Sequence, residues 1–226
     1  PGCWIAGLDR ERLGLVAPQR WAGAAGGAVL GILLLLLPAG LAVLAGVYLR
    51  VGGPSDSMVA MTGSSALIQL PILAVGMAIA ALGEEVLCRG LLLRYWEPLA
   101  GTWGAIMVSG ALFTAMHAAN PGVSVLGLLG VFLWGVLLGL VFVRSDSMLL
   151  VAGVHCGWNF ATACILGLPV SGMHLAALSR WESVGSPTAK LLFGGDFGPE
   201  EGLVFHAVLV LAIVVVWRKW NSVSLS

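Results

Sequence analysis

Apolar residues run in six long stretches along the chain, separated by short polar breaks. The stretches cover residues 21–48, 66–93, 102–118, 123–143, 148–168 and 203–216. A helix needs roughly 20 apolar residues to cross a bilayer, so they read as membrane-spanning helices. Pro38 predicts a kink in the first. Arg94-Tyr95-Trp96-Glu97-Pro98 reads as an interfacial exit with an aromatic anchor, closing the second. Asn120-Pro121-Gly122 is a tight break and Arg144-Ser145-Asp146-Ser147 a short polar turn. Residues 1–20 form a polar, partly basic segment suited to an interface, and 169–201 a long polar loop with an acidic balance. The pattern predicts a single integral-membrane domain over 1–226: an all-α, polytopic transmembrane helical bundle of about six spans.

Composition strengthens that reading. Of 226 residues, 59% are hydrophobic and 10% charged, with a mean hydropathy of +0.99. A soluble domain carries about 25% charge. The formal net charge is zero, which gives a nucleic-acid partner no electrostatic support. Cys3, Cys88, Cys156 and Cys164 form no CxxC pair; they read as small buried hydrophobes, with no disulfide framework or cysteine metal site. Thirty-two glycines lie scattered without a repeat, as close helix packing in lipid requires. Asp9, Arg10, Glu11, Arg12 and Arg20 precede the first apolar run, so no cleavable signal peptide is read there. With six spans, Arg10, Arg12, Arg20, Arg94, Arg144, Arg218 and Lys219 fall on one side of the membrane. The basic flanks predict that both termini are cytoplasmic.

Against this background the polar residues inside apolar runs stand out, because ionisable groups in a membrane are rare and expensive. Glu84, Glu85 and Arg89 lie in the second stretch. Glu85 and Arg89 are i,i+4 neighbours and suit an ion pair. Glu84 points about 100° away from Glu85 on a helix, so Arg89 cannot neutralise both equally. That division leaves Glu84 facing a cavity, desolvated, as a general base. The bland alternative is that both glutamates only hold helices together through Arg89 or Arg94. His117 ends the third stretch; His155 and Asn159 share one helical face in the fifth. His117 alone is as compatible with a packed histidine, and Asn159 with interhelical glue. His174 and His206, at a loop and a span end, read as solvated. HExxH, GxSxG and a phosphate-cradling glycine loop are all absent from the sequence.

Carboxylate, two imidazoles and an amide from three stretches can activate water and hold an oxyanion, or hold a metal with an open position for water. Either way the reaction class is hydrolysis by an activated water in a membrane-embedded cavity. One difficulty is depth. Counting residues in a short third helix puts His117 nearer the opposite side from Glu84, so that helix must tilt or begin inside the bundle.

Glu84-Glu85-x-x-x-Arg89, Phe113-x-x-x-His117 and His155-x-x-x-Asn159, in that order, resemble the CPBP family of CAAX-protease and bacteriocin-processing membrane proteins, related to the type II CAAX prenyl endopeptidases. The core of the likeness covers residues 82–159. Arg89-Gly90-Leu91-Leu92 and Gly195-Asp196-Phe197-Gly198-Pro199-Glu200 also look like bacterial members. Cys88 departs from the aromatic residue that commonly precedes the arginine. The resemblance implies an intramembrane endopeptidase in a bacterial inner membrane. Glu84 would be the general base, Glu85 with Arg89 its support, and His117 a positioner of water. His155 and Asn159 would stabilise the oxyanion. Family members are described both as metalloproteases and as glutamate-type enzymes. Zinc on Glu84, His117 and His155 thus stays open, although Asn suits an oxyanion donor better than a zinc ligand. The implied partners are the lipid bilayer and a membrane protein or a lipidated or processed peptide as substrate. A non-enzymatic immunity or scaffold protein of the same family is the alternative.

Overall fold

The computed structural model describes residues 13–15, 20–50, 64–175 and 177–223. The expected interfacial segment 1–20 and the polar loop after Arg50 lie almost entirely outside the described residues.

Helix α1 (Arg20–Leu44) packs along α5 (Met148–Phe160). The reason is visible in the small residues at the crossing. A Cβ placed on Gly27 would sit 2.2 Å from the Leu150 carbonyl oxygen, and one on Gly31 2.0 Å from that of Val154. From the other helix, a Cβ on Gly153 or Gly157 would lie 2.3 or 2.1 Å from the carbonyl oxygens of Ala24 and Ala28. Lipid tails are as apolar as leucine, so spans associate through such close backbone approach rather than through the hydrophobic effect. The helix that carries His155 and Asn159 is therefore seated by glycine spacing on α1.

A short strand β1 (Tyr48–Arg50) follows α1, and then α2 (Ser64–Glu85). The chain does not leave the helix at residue 93, as the sequence led us to expect. A π-helical segment, Val86–Leu93, follows Glu85 directly and runs into α3 (Arg94–Met116). The charged group Arg94–Glu97 stays helical because its charges are satisfied in place: Arg94 pairs with Glu97 at 3.1 Å and also with Asp146. The turn comes later, at Gly101, whose φ of 69° interrupts the helix. The rest of α3 lies beside the π segment, where the Ser109 hydroxyl donates to the Cys88 carbonyl at 2.8 Å. The expected second and third spans are thus two arms of one apolar run, Ile68–Met116, of 49 residues.

Helix α4 (Val125–Ser145) is largely buried between α3 and α7 (Leu203–Val223), with Ser124 accepting from Gly127 N–H at its start. After α5, a second π segment, Ala161–Ile165, ends the fifth stretch. The loop expected over 169–201 carries structure. Strand β2 (Trp181–Ser183) pairs antiparallel with β1, Tyr48 opposite Ser183. Helix α6 (Pro187–Phe193) and a 3-10 turn (Pro199–Glu201) follow, with Phe193, Phe197, Pro199 and Glu200 buried. The buried Tyr48 hydroxyl donates to the Phe193 carbonyl, tying this region to the end of α1. Among the described residues four helices are long and apolar enough to cross a membrane, with Leu203–Arg218 a shorter apolar helix. The molecule is an all-α bundle of an integral membrane protein; the expected count of six spans is not reproduced.

Candidate active site

Glu85 is fully buried, and Arg89 and His155 both hold its Oε1. Arg89 Nη1 lies 3.0 Å from its Oε1 and 2.9 Å from its Oε2. His155 Nδ1 donates to the same Oε1 at 2.8 Å, since a carboxylate can only accept. Arg89, also fully buried, gives Nη2 to the Gly135 carbonyl at 2.9 Å and sets its guanidinium 4.8 Å over the Phe113 ring. Burying two charges is costly unless they are paired and hydrogen-bonded. Here α2, α4 and α5 meet at that pair, so one ion pair locks three helices and orients the His155 ring.

Glu84 is placed differently. Its side chain is 32% exposed and its Oε2 lies 3.8 Å from His155 Nε2, beyond hydrogen-bond distance and without a hydrogen-bond partner. The two adjacent carboxylates therefore have distinct environments: one inside the helix contacts, one on the wall of a cavity. That cavity, of about 60 Å³, is lined by Glu84, Phe113, His117, Trp134, His155, Trp158, Asn159, Val170, Ser171 and Glu200 among others. One water needs roughly 10–15 Å³ by this measure, so a few waters fit.

The depth difficulty resolves through the late turn. Glu84 lies seventeen residues before Gly101 and His117 sixteen after it. The two arms rise about 25 Å each at 1.5 Å per residue and return to one level. Counting from residue 93 left the first arm eight residues short. His117 ends α3 with Nδ1 donating to the Phe113 carbonyl at 2.9 Å, which leaves Nε2 free of that bond. Its ring packs 4.7 Å from Phe113, and Phe113 in turn 5.8 Å from His155. The structure thus brings Glu84, His117, His155 and Asn159 to one cavity, with Glu85 and Arg89 behind it. Both π segments adjoin the site, one directly after Glu85 and one just past Asn159. π-Bulges recur at functional sites, and nothing in the residue pattern announced these two.

Among the described residues no three His, Cys, Asp or Glu side chains converge closely enough to hold a metal ion. His155 gives Nδ1 to Glu85, which leaves its Nε2 toward the cavity, 3.8 Å from Glu84 Oε2.

Two residues of the wall escaped the reading of the chain. Glu200, 5% exposed, comes from the 3-10 turn, and Ser171 from the bend after Pro169. Glu200 accepts from the Ser171 N–H at 3.2 Å and its hydroxyl at 3.4 Å. Burial pushes its carboxyl up to about 7, offset in part by the backbone N–H groups of Glu200 and Ser171, the Trp158 indole and the Ser171 hydroxyl. The available signal was a glutamate inside the Gly198-Pro199-Glu200 turn, in a loop otherwise read as solvated. His206 is not solvated either: it is buried and donates Nε2–H to the Glu200 carbonyl at 2.8 Å. His174 is exposed and lies outside the cavity.

Residues 66–161 match the family model of type II CAAX prenyl endopeptidase, Rce1-like. No curated protein and no solved structure matches the chain. The matched segment begins in α2 and ends one residue into the second π segment, and so contains both arms, α4 and α5. Over residues 66–161, which hold Glu84, Glu85, Arg89, His117, His155 and Asn159, the chain is similar to a protease family, the Rce1-like type II CAAX prenyl endopeptidases.

Proposed function

We propose that this protein is an intramembrane endopeptidase of glutamate type, hydrolysing a peptide bond of a membrane-associated protein or lipidated peptide. The observation that carries the reading is the split between neighbouring carboxylates. Glu85 is committed to its ion pair with Arg89 and its hydrogen bond from His155, while Glu84 faces a cavity it shares with His117, His155 and Asn159, its Oε2 without a hydrogen-bond partner. A base must be within reach of water and not already spent on an ion pair.

In this reading Glu84 takes a proton from a cavity water as its oxygen attacks the scissile carbonyl carbon. His117 holds that water from the opposite arm of the hairpin. The negative charge that develops on the carbonyl oxygen falls to the Asn159 amide and to His155 in its doubly protonated form, with Nδ1–H on Glu85 and Nε2–H toward the cavity. Arg89 and Glu85 keep the His155 ring oriented, with Nε2 toward the cavity. The basic residues that flank the apolar runs support cytoplasmic termini.

The test compares wild type with Glu84→Gln, purified in detergent, on a quenched peptide ending in a farnesylated CAAX tail. Membrane peptides from cells expressing each form are also compared by mass spectrometry. Glu84→Gln is expected to lower cleavage by about 10²-fold or more with its melting temperature kept, because Glu84 Oε2 bonds nothing. A Glu84→Gln protein that cuts at the wild-type rate sinks the reading. Unchanged peptides together with a collapsed melting temperature point instead to a scaffold.

A further inference from the structure

A second glutamate pair, Glu200–Glu201, also gives one member to the cavity wall. In Glu84–Glu85, one carboxylate is held by its neighbours and the other faces the cavity. In Glu200–Glu201 the division recurs. Glu201 Oε2 accepts from the Ser124 hydroxyl at 2.7 Å, and its Oε1 accepts from Gly195 N–H at 2.6 Å and Phe197 N–H at 3.3 Å. Glu200 lines the cavity and is 5% exposed; the Trp158 indole stands by its carboxyl, but Oε2 has no partner within hydrogen-bond geometry. A buried carboxyl with an idle oxygen is costly, yet several features hold it there. Gly198, at φ 118°, leaves room for it, since a Cβ on that residue would lie 2.5 Å from Glu200 Oε2. The Glu200 carbonyl oxygen rests where a Cβ on Gly130 of α4 would be, at 1.7 Å, and takes the His206 Nε2–H. Ser171 holds Oε1.

We propose that Glu200 is the proton donor to the leaving amine, the acid that complements Glu84 as base. This deepens the peptidase reading and rests on it. Water gives one proton to Glu84 and its oxygen to the carbonyl carbon. When the carbon–nitrogen bond of the tetrahedral intermediate breaks, its electron pair goes to nitrogen, which takes the proton of the Glu200 carboxyl. The proton held by Glu84 then passes through cavity water to the Glu200 carboxylate, and both groups return to their starting states. No oxidant or further reactant is needed. The division suits the environments: an acid works best with an affinity for protons near the working pH, and burial supplies that at Glu200. The titratable groups around it are Glu84, His117 and His155 across the cavity, Glu201 beside it, Tyr48 from β1 and His206 from α7.

The experiment uses the full chain in detergent as wild type, Glu200→Gln and Glu84→Gln. In infrared titration a carboxylic-acid carbonyl band is expected to vanish as pH rises through about 7, present in wild type and Glu84→Gln and missing in Glu200→Gln. On the farnesylated quenched peptide, Glu200→Gln is expected to lose about 10²- to 10⁴-fold in amide cleavage. On the depsipeptide with an ester at the scissile position it is expected to stay near wild type, because an alkoxide leaves without full protonation. Glutamine keeps an oxygen to accept from Ser171, so a purely structural Glu200 would leave both rates equal or lower both together. No Glu200-dependent band, or an unchanged amide rate, overturns the proposal and leaves Glu84 as base untouched. A wild type that cuts neither probe nor any membrane peptide removes the peptidase reading and this inference with it.

Discussion

At the scale of single residues the molecule is a set of charges that must be matched where water is scarce. Arg89 has the most to lose. It is fully buried and holds Glu85 at 2.9 Å. Removing one partner of a buried pair costs about 3–5 kcal/mol, because the other charge stays behind. Arg89→Met is expected to lower unfolding stability by that order in a denaturant titration, and to lower cleavage too, because His155 loses its fixed partner. Replacing Glu85 and Arg89 together by apolar residues should cost less than Arg89→Met alone. Glu200 makes a prediction in pH. Its carboxyl, raised from 4.5 to about 7 by burial, stays protonated in the fold while the unfolded chain releases the proton. Stability from this group is full below about 4.5 and is lost as pH rises through about 7. A shift of this size corresponds to roughly 3 kcal/mol. The melting temperature of wild type should fall across that window relative to Glu200→Gln, which has no such proton to release.

Among the elements, the decisive contact is α1 against α5. Its glycines leave no room for a side chain, with carbonyl oxygens at 2.0–2.3 Å from where a Cβ would stand. Gly31→Leu is expected to force the helices apart, moving α5 and with it His155 away from Glu85. The expected cost is about 1–3 kcal/mol, the range for overpacking, read by thermal melting, together with loss of peptidase activity although residue 31 is outside the cavity. Gly26 and Gly40 have open space around them, so alanine at either should be nearly neutral. The scattered glycines of the sequence thus divide into those that set a helix crossing and those that do not. Composition announced tight packing but not which face carries it, because that depends on the partner helix.

For the molecule as a whole, the region after Pro169 closes the cavity that the membrane helices open. It does so by docking on the turn after His117: Asn120 Nδ2 donates to the Ser171 carbonyl at 3.0 Å, and a Cβ on Gly172 would lie 1.8 Å from the Pro121 carbonyl oxygen. Gly172 also has φ 82°, a conformation that side chains resist. Gly172→Val is expected to lift this cover, costing about 1–3 kcal/mol for the strain. Labelling of the half-buried Cys156 by a water-soluble maleimide should rise in parallel. Unchanged labelling would show that the cover does not depend on this contact.

Some of this was legible in the chain before any fold was known. Six apolar stretches and a low charge content determined a helical membrane protein, because hydrocarbon admits only chains that satisfy their own backbone. The order of Glu84, Glu85, Arg89, His117, His155 and Asn159 in those stretches picked out four residues that share one cavity and the ion pair behind it, because a polar side chain in an apolar helix needs a partner. Tertiary structure alone decided the rest. The helix runs through Arg94–Glu97 because Asp146, fifty-two residues from Arg94, supplies a second partner. The return at Gly101 then levels His117 with Glu84. Glu200 joins the wall because Gly130 and Gly198 leave space and Ser171 and His206 hold the turn. Each depends on a residue far away in sequence, and a local pattern of hydropathy carries no record of what will stand opposite.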